Sequence, residues 1–557
     1  MKVETVHRIT GPHLLLPSTG AAVWLKLSEE DWFAYQSTFN TRLHQALEGL
    51  PISSETVNHP FKGGIALAIA APPDLLYTAC AVLEWVTSEE PASGELWDAI
   101  AAERKSEERP LLRDLHAWAR DNGLHGFDDE DAMSIGLGKH GETWALDELP
   151  TTSVLDRGTF DKIPLVYLTG TNGKTTTTRM LARIAQKAGY TAGNTSSDGI
   201  VVDGKLVEAG DWTGPGAARM VLRHPEVDAA ILETARGGLM RRGLVVGGAD
   251  VALVTNISAD HLGEWGLTDV HRLADAKLVV ARGLKKGGTL IVNADCPVLM
   301  SAVERIPDEI RDQIKVLKFG MKDSAGANSN LSASIGSDSI AFCASSDFEI
   351  SINEIPLTLG GAALHNIYNA AAAGLAAQVL GWTESSIKDG LGSLKPDGED
   401  SRGRANLYEV DGKYILLDFA HNPGGIEMMA EFSKRFIDGD RYFLMGQAGD
   451  RSPQLIQELA EAAVAINLSG IVVKNLPGHA YERDPDEVAQ RQVEALVKAG
   501  QPRESIVHIA DEVEAAHALI QRASEGSLTF LIAHENVDGV MEMLEGLGAK
   551  LTTPPSA

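Results

Sequence analysis

The chain contains little cysteine and no long apolar run. Its 557 residues include three cysteines, Cys80, Cys296 and Cys343, which are far apart and show no CxxC spacing. This pattern excludes a disulfide-stapled fold and a cysteine-ligated zinc site, and it is typical of a reducing compartment. The longest nearly apolar stretch, residues 370–382, is shorter than the ~20 residues that a membrane span needs, so it predicts a buried helix. The first residues do not resemble a signal peptide, so we expect a cytoplasmic protein without a membrane partner.

Basic residues are also in short supply. The 49 lysines and arginines face 77 aspartates and glutamates, which gives a formal net charge of −28. This excess of acid argues against a nucleic-acid partner, because proteins that bind phosphate backbones are normally basic. It is compatible with a cationic substrate, although solubility is the more common reason. The apolar fraction of 44% is that of a globular protein, and the length predicts about three or four domains.

The pattern of strand-like and helical runs divides the chain into four parts. The first part mixes short strand-like runs with an amphipathic helix. The second is charged, as in a connection or a solvated helix, and then glycine-rich. In the other two parts, short β-branched runs alternate with helical segments, which predicts βαβ units and mostly parallel sheets. Residues 330–358 alternate polar and apolar side chains and predict a small antiparallel excursion. We predict an α/β fold with a small α+β domain, a linker, a central domain with a parallel sheet and a Rossmann-like C-terminal domain, at residues 1–105, 106–159, 160–398 and 399–557.

The sharpest local signal is a phosphate-binding loop. A strand-like run leads into residues 170–176, GTNGKTT, and a helical run follows. The glycines allow backbone N–H groups to surround phosphate oxygens, Lys174 adds a cation, and the hydroxyl of Thr175 can bind Mg²⁺. The loop is shorter than the usual Walker spacing, so the alternative is a chance glycine-rich turn, but the strand–loop–helix context favours a nucleotide site. The predicted nucleotide contacts here are Gly170, Thr171, Asn172, Gly173, Lys174, Thr175 and Thr176.

Two further candidates lie at the ends of later strands. Glu233 closes the run AAILE, and His261 follows the run VALVTNIS. Ligands gather outside the carboxyl ends of strands in open parallel sheets, so both side chains would meet Thr175 at one edge. Oxygen ligands suit Mg²⁺, whereas histidine is a less common ligand, and a hydrogen-bonded loop residue is the alternative for His261. We predict a magnesium site formed by Thr175, Glu233 and His261.

A series of motifs in a fixed order resembles one family of enzymes. The motifs are GTNGKTTTTR, LETARGG, TNISADHLG, NADCP, LHNIYNAAAA and DFAHNPGG. Together they resemble the Mur ligase family of ATP-dependent amide ligases, and within it the cyanophycin synthetases, over about residues 160–557. The resemblance implies an ADP-forming ligase that activates a carboxylate as an acyl phosphate and couples it to an amino-acid amine. It implies ATP and Mg²⁺ as cofactors, and an amino acid and a carboxylate or peptide-like acceptor as partners. We also expect a homo-oligomer.

The resemblance implies roles for single residues. Lys277 matches a lysine that is carbamylated in many members and supports a second Mg²⁺ there, although a helix-surface lysine is the alternative. Asn366 would contact adenine, and Arg404 and Asp418 would reach the phosphates and the ribose from the C-terminal domain. A linker near residues 385–402 would be the hinge for closure of that domain. The residues implied to carry the chemistry are Lys174, Glu233, His261 and Lys277.

The residues that would bind the incoming amine are less sharply defined. Residues 472–488 lie where Mur ligases bind the incoming amino acid, and the cyanophycin synthetases have a more arginine-rich and acidic segment there. Asn475, His479 and Arg483 are the candidate contacts, since an arginine can grip an amino-acid carboxylate. His421 is a plausible neighbour. A solvated loop and simple turn packing are the alternatives, so the amine need not be arginine.

The N-terminal parts bear on which reactions are possible. Cyanophycin synthetases join an N-terminal domain, an ATP-grasp module and a Mur-ligase module. Residues 1–105 resemble that N-terminal domain weakly, and residues 106–159 resemble the start of an ATP-grasp module. The phosphate loop follows so soon that we expect the ATP-grasp step to be missing. The N-terminal domain would then bind an acceptor or serve only structure or oligomerisation.

Two alternatives for the function stay open. One is a ligase that adds glutamate or another amino acid to an unrelated acceptor. The other is a non-catalytic ATP-binding relative. Every expected ATP and Mg²⁺ position is occupied by a suitable residue type, which counts against the second alternative.

Overall fold

Four β-sheets organise the residues that the structure describes. The structure is a computed structural model, and it describes residues 1–260, 262–322, 330–436 and 439–555. Along the chain, the sheets in these ranges contain four, three, eleven and seven strands. His261 lies outside the described residues, so its placement stays a prediction. Within the described ranges, no helix is both long and apolar enough to span a membrane.

The first sheet shares its two faces between two cores. Its strands and helices are β1 (Lys2–Ile9), β2 (Gly20–Lys26), α1 (Glu29–Ala46), β3 (Thr56–Phe61), β4 (Gly64–Ala70), α2 (Leu76–Val86) and α3 (Glu95–Glu107). The strands are antiparallel in the order β1-β2-β4-β3. Side chains alternate between the faces of a strand. Ala21, Val23 and Leu25 therefore pack against the sheet's own helices. Ala22 and Trp24 pack against the central part of the chain.

A small antiparallel unit follows the first sheet. It consists of α4 (Pro110–Asp121), β5 (Gly126–Asp128), β6 (Ala132–Ile135) and β7 (Glu142–Ala145). Leu115, Met133 and Phe160 belong to an apolar cluster of its own. Arg223 of the central part forms an ion pair with Asp129 and fixes the unit there. The stretch for which we predicted a linker therefore contains a helix and a sheet. Its assignment to an ATP-grasp module and the domain boundaries stay predictions.

The third sheet forms the centre of the molecule. Its strands are β8 (Leu165–Thr169), β9 (Ala192–Ser196), β10 (Gly199–Val202), β11 (Lys205–Ala209), β12 (Ala229–Glu233), β13 (Ala249–Val254), β14 (Leu284–Asn293), β15 (Lys315–Met321), β16 (Ala333–Ile335), β17 (Ser339–Phe342) and β18 (Phe348–Ser351). Their order is β11-β10-β9-β12-β8-β13-β14-β15-β16-β17-β18, and all pairs from β9 to β16 are parallel. β17 and β18 are antiparallel additions, which confirms the excursion predicted at residues 330–358.

Helices cover both faces of this central sheet. They are α5 (Lys174–Lys187), α6 (Pro215–Arg223), α7 (Arg236–Arg241), α8 (Val270–Lys277), α9 (Val279–Arg282), α10 (Pro297–Glu304), α11 (Asp308–Arg311), α12 (Leu364–Val379) and α13 (Glu384–Ser393). The apolar run at residues 370–382 lies mainly in α12, and its alanines are fully buried, so the predicted buried helix is confirmed. The linker predicted near residues 385–402 is wrong in its first half, which is helix α13. Ile387 and Leu391 lie one helical turn apart and are buried, so apolar burial favours a helix there.

The fourth sheet forms the C-terminal part. Its elements are β19 (Asn406–Val410), β20 (Lys413–Asp418), α14 (Pro423–Ser433), β21 (Arg441–Met445), α15 (Pro453–Val464), β22 (Gly470–Val473), α16 (Pro485–Lys498), β23 (Ile506–His508), α17 (Glu512–Arg522), β24 (Leu528–Ile532), α18 (Val537–Gly546) and β25 (Lys550–Leu551). The order is β23-β22-β21-β24-β20-β19-β25, and the strands from β23 to β20 are parallel. The predicted α/β class, with a parallel central sheet and a Rossmann-like C-terminal domain, is confirmed.

Candidate active site

The phosphate-binding loop joins the end of β8 to the start of α5. Gly170 and Gly173 have φ values of +151° and +80°, which side chains rarely adopt. A Cβ at Gly170 would overlap the Thr255 hydroxyl, and a Cβ at Gly173 would overlap the Asn369 amide oxygen. Both positions therefore require glycine. The first residues of α5, Lys174, Thr175 and Thr176, line the same cavity as the loop, and the N-terminus of a helix suits an anion.

The loop opens into a cavity of about 560 Å³ between the central and C-terminal parts. The predicted loop residues that line it are Thr171, Asn172, Gly173, Lys174, Thr175 and Thr176. The other predicted residues that line it are Glu233, Asn366, Arg404, Asp418 and His421. The structure thus gathers residues from across the sequence around one space.

Thr175 and Glu233 form a pair of oxygen donors in this cavity. Glu233 ends β12, which is parallel to β8, and the Thr175 hydroxyl donates to its Oε2 at 2.9 Å. Burial raises the pKa of Glu233, while Lys174, Thr175 and Arg404 act in the opposite direction. Within the described ranges, no group of three or more His, Cys, Asp or Glu side chains could hold a metal ion. A magnesium ion that also binds phosphates needs only one or two carboxylates, so this buried hydroxyl–carboxylate pair fits it.

Two lysines flank the loop. Lys174 donates from Nζ to the carbonyl of Thr171 at 3.0 Å. Lys277, at the end of α8, is only 5% exposed and donates from Nζ to the carbonyl of Gly170 at 2.7 Å. Burial, with a further effect of Lys174, lowers the pKa of Lys277 to about 7. Lys277 is therefore not a helix-surface lysine.

The far end of the cavity is lined by residues of α12 and of the segment after β14. Asn366 is 2% exposed, and its amide donates to the carbonyl of Leu357 at 2.8 Å. Its Oδ1 accepts from Asn369 at 3.1 Å, so its orientation is fixed. The Tyr368 hydroxyl donates to Asp295 at 2.7 Å. This end combines polar amides with a ring and could hold a flat heterocycle.

The C-terminal part contributes Arg404 and Asp418. The Arg404 guanidinium lies 4.3 Å from the centre of the Phe419 ring and donates to the Ser197 hydroxyl at 3.3 Å. The Ser197 hydroxyl is in turn 3.1 Å from the Thr175 hydroxyl, so Arg404 reaches the end of the cavity that the loop forms. Asp418 ends β20, and its carboxylate accepts from the backbone N–H groups of Ala405 and Ala420.

The predicted amine contacts are not all brought together. His421 lies 3.7 Å from Asp260, which also pairs with Arg451 at 2.6 Å. The Asn475 amide donates to Asp486 at 2.6 Å and its oxygen contacts His508. His479 is exposed. Arg483 donates to the carbonyl of Arg451 at 3.4 Å. Among the described residues that line the cavity, His421 is present but Asn475, His479 and Arg483 are not.

Sequence reasoning did not single out three residues that support the site, Arg179, Asp198 and Asn422. Arg179 of α5 pairs with Asp198 at 2.8 Å, and Asp198 also lies 3.7 Å from Arg404. Asn172 of the phosphate loop exchanges two amide hydrogen bonds with Asn422, at 2.9 and 3.0 Å. The available signal was the motif SSDGI at residues 196–200, which begins at the last residue of β9. The carboxyl end of β9 borders β12.

Two family models match this chain. The Mur ligase middle domain matches residues 168–377, and the domain described as "Mur ligase, glutamate ligase domain" matches residues 403–534. The two matches cover the phosphate loop, Glu233, Arg404 and Asp418. The predicted family resemblance is confirmed.

Curated relatives agree with these matches. A cyanophycin synthetase from Synechocystis sp. is 34% identical over 449 residues, which cover 78% of this chain and 49% of the relative. A UDP-N-acetylmuramoyl-L-alanyl-D-glutamate–2,6-diaminopimelate ligase from Geobacillus thermodenitrificans is 26% identical over 66% of this chain and 73% of the relative. The chain spans about half the length of the synthetases that it matches.

Solved structures show the same fold. E. coli FolC, in complex with DHPP and ADP, has a TM-score of 0.52 and 19% sequence identity, and the match covers 69% of this chain and 89% of that one. A pseudomurein peptide ligase type C from Methanothermus fervidus has a TM-score of 0.50 and 17% identity, over 69% of this chain and 79% of that one. By its central and C-terminal domains, the chain belongs to the Mur ligase family.

Proposed function

We propose that this protein is an ADP-forming ligase that joins a carboxylate acceptor to the amine of an amino acid. The observation that carries the proposal is the single cavity in which the phosphate loop, the Thr175–Glu233 pair and Arg404 meet. Residues of both matched domains line this cavity, so phosphoryl transfer and amide formation can take place in the same space.

The residues fit phosphoryl transfer, which depends on positioning and on neutralising negative charge. Lys174 and Arg404 bring two cations to the phosphate end of the cavity. Bound Mg²⁺, held by Thr175, Glu233 and the predicted ligand His261, would neutralise charge on the phosphate oxygens. An acceptor carboxylate oxygen attacks the γ-phosphorus of ATP, the bond to the β-phosphate oxygen breaks, and ADP leaves.

The second step forms the amide. The amine nitrogen attacks the acyl carbon of the acyl phosphate, the bond to the phosphate oxygen breaks, and inorganic phosphate and one proton leave. Water must be kept from the acyl phosphate, which requires closure of the two domains. The Asn172–Asn422 and Asp260–Arg451 contacts hold the C-terminal domain against the phosphate loop and support this step.

We propose further that Lys277 is carbamylated and supports a second Mg²⁺. Its buried Nζ lies against the phosphate loop, next to the carbonyl of Gly170. A carbamate there would replace a poorly solvated cation by an anion that a second metal ion can bind. The position of this amine supports the proposal.

We also propose that the chain carries out one kind of ligation, without an ATP-grasp step. Between β7 and β8, residues 146–164 contain only short turns. That segment is far too short for a second nucleotide-binding module. Acceptor and amine are then a pre-formed carboxylate and one amino acid, and a homo-oligomer remains our expectation for the assembly.

An ADP-release screen tests the proposed ligase. Amino acids are paired with aspartate-, glutamate- and peptide-type carboxylates, and ADP is measured with and without each partner. We expect sustained ADP release, over many turnovers, only when both substrates are present, and we expect its loss in Lys174→Ala. Lys187→Ala is the matched control, because Lys187 is exposed at the other end of α5.

The same screen decides between the alternatives. Release with glutamate and an unrelated acceptor would favour a glutamate-adding ligase over the cyanophycin-synthetase-like reaction. ATP binding without turnover across the whole panel would contradict the ligase and favour a non-catalytic relative. Undiminished turnover in Lys174→Ala would contradict the mechanism.

A further inference from the structure

We propose that Trp265 is a positioning residue, through which the N-terminal sheet holds the β13–α8 loop against the phosphate-binding loop. The β13–α8 loop comprises residues 255–269, of which all but His261 are described. The inference rests on the proposed nucleotide-dependent function and assigns a task to the N-terminal domain within it.

Trp265 is held by aromatic side chains of the N-terminal sheet. Its ring meets Trp24 of β2 edge-on, with centroids 5.8 Å apart, and meets His7 of β1 edge-on at 5.1 Å. His7 stacks on Trp24 at 4.6 Å, so the two form one platform. Trp24 is 1% exposed and belongs to the core shared with the central domain. The platform is therefore rigid, and it comes from a different domain than the loop.

The backbone of the loop is adapted to this contact. Trp265 has a φ of +56°, a conformation that a bulky side chain adopts only when its surroundings hold it there. The next residue, Gly266, has a φ of +70°, and a Cβ there would lie 2.7 Å from the Phe61 ring of β3. The turn is closed by hydrogen bonds from Gly263 to Leu267 and from Leu267 to Glu264. Aromatic contacts from the N-terminal sheet offset the unfavourable backbone.

The N-terminal end of the β13–α8 loop forms hydrogen bonds with the phosphate-binding loop. Ser258 donates from its N–H to the Thr171 hydroxyl at 3.1 Å and accepts from it at the carbonyl, at 3.2 Å. The Asn256 side chain accepts from the N–H of Asn172 at 2.9 Å. Asp260 reaches Arg451 of the C-terminal domain. The loop thus connects three domains, and a shift at Trp265 would move the groups that face the phosphates.

A purely structural role of Trp265 predicts a different outcome. The contact would then add to the stability of the domain interface, and its loss would lower Tm without changing nucleotide binding. Trp32 of α1 offers a matched comparison. It is 8% exposed and packs edge-on against Phe39 inside the N-terminal domain, among residues that lie away from the β13–α8 loop.

The test compares full-length wild type with Trp265→Ala, Trp265→Phe and Trp32→Ala. Mg²⁺–ADP affinity is measured by calorimetric titration, Tm by scanning calorimetry, and kcat and KM for ATP by ADP release. We expect Trp265→Ala to weaken Mg²⁺–ADP binding by about tenfold and to lower kcat by up to ~10²-fold, since a misplacement of about 1 Å has effects of that size. Trp265→Phe keeps a ring in place and should restore most of both.

The control variant Trp32→Ala separates an effect on the position of the β13–α8 loop from a loss of stability. Trp32→Ala should lower Tm at least as much as Trp265→Ala and leave Mg²⁺–ADP affinity within about twofold of wild type, since it disturbs packing alone. Equal affinity in Trp265→Ala and wild type would overturn the inference, as would equal losses in Trp32→Ala and Trp265→Ala. A wild type that binds Mg²⁺–ADP but forms no amide would contradict the proposed function only, because the binding comparison still decides this inference.

Discussion

Glu233 and Lys277 are buried charged groups at the two ends of the phosphate-binding loop. Burial raises the pKa of Glu233 and lowers the pKa of Lys277 to about 7, because each charge is poorly solvated there. A bound nucleotide with Mg²⁺ supplies charges of both signs. Binding should therefore stabilise the folded protein in addition to preparing it for chemistry.

The substitution Glu233→Gln separates the effect of the buried charge on stability from its effect on turnover. We expect Glu233→Gln to keep or raise the Tm of the ligand-free protein, because the side chain keeps its shape and loses a buried charge. The same change should lower ADP release by about 10²-fold or more, because a preorganised charge at the phosphates is lost. Scanning calorimetry and the ADP assay measure the two results. Glu208→Gln, on the exposed strand β11, is the control. A lower Tm with full turnover would contradict this role of Glu233.

The proposed carbamate on Lys277 is open to direct observation. In ¹³C-labelled bicarbonate, we expect a carbamate carbon signal from the wild type and none from Lys277→Arg, whose guanidinium does not form one. Lys286→Arg, at an exposed position of β14, should keep the signal. A signal that survives in Lys277→Arg would place the carbamate elsewhere, and the absence of a signal from the wild type would refute the modification.

At the scale of elements, helix α14 links its own N-cap to closure of the two domains. Asn422 accepts from the N–H of Gly425 at 3.0 Å as the N-cap and pairs with Asn172 of the phosphate-binding loop. A serine can still cap the helix but is too short to reach Asn172. The element therefore offers a way to weaken closure without unfolding the helix.

We expect Asn422→Ser to reduce kcat by about tenfold and to lower the free energy of unfolding by about 1–3 kcal/mol, since two hydrogen bonds to Asn172 are lost while the N-cap is kept. Turnover and chemical unfolding report the two quantities. Asn536→Ser is matched to it, because Asn536 caps α18 through Gly539 in the same way. If both variants lose turnover equally, the contact with Asn172 has no part in closure.

The same scale shows why some expectations for segments were incomplete. The apolar run of β2 predicts only a strand, and the structure shows that each of its faces belongs to a different core. The charged and glycine-rich segment before residue 160 shows little periodicity, yet it forms a small sheet. Its strands are so short that they contain too few residues for a periodic pattern.

At the scale of the whole molecule, three buried histidines lie where the N-terminal parts meet the central domain. Burial lowers the pKa of His7 to about 3 and the pKa values of His13 and His125 to about 4. The ring of His13 forms a hydrogen bond with the carbonyl of Met240, and the ring of His125 packs against Gly248. The folded protein holds these rings neutral, whereas the unfolded chain binds protons below about pH 6.5.

Acid should therefore weaken the molecule at this interface. The contribution of each ring is fully present above about pH 6.5 and is lost as the pH falls towards its pKa in the folded protein, about 4 for His13 and His125 and about 3 for His7. The loss is up to about 1.4 kcal/mol per pH unit for each group. We expect Tm to fall steeply over this window and His13→Gln to make the fall shallower. His44→Gln, on the exposed face of α1, should leave the slope unchanged. A pH-independent Tm in the wild type would contradict this account.

Local signals in the sequence were enough to predict that the loop residues and Glu233 lie together at one edge of the sheet. The loop glycines follow the end of β8, Thr175 lies in the first turn of α5 and Glu233 ends β12, and parallel strands bring their carboxyl ends to one edge. The prediction of the amine contacts rested only on position in the chain, and it named Asn475, His479 and Arg483. Loop side chains take the partners that tertiary packing offers, and Asp486 engages Asn475 away from the cavity.

By itself, the sequence determined the α/β class, the turn that joins β8 to α5 and membership of the Mur ligase family, because periodicity and short motifs are encoded among neighbouring residues. Only the tertiary structure decided that Lys277 is buried against Gly170 and that Trp265 rests on Trp24. Both depend on contacts between residues far apart in the chain. Such contacts are set by which faces pack together when apolar surface is buried, and no local pattern states them.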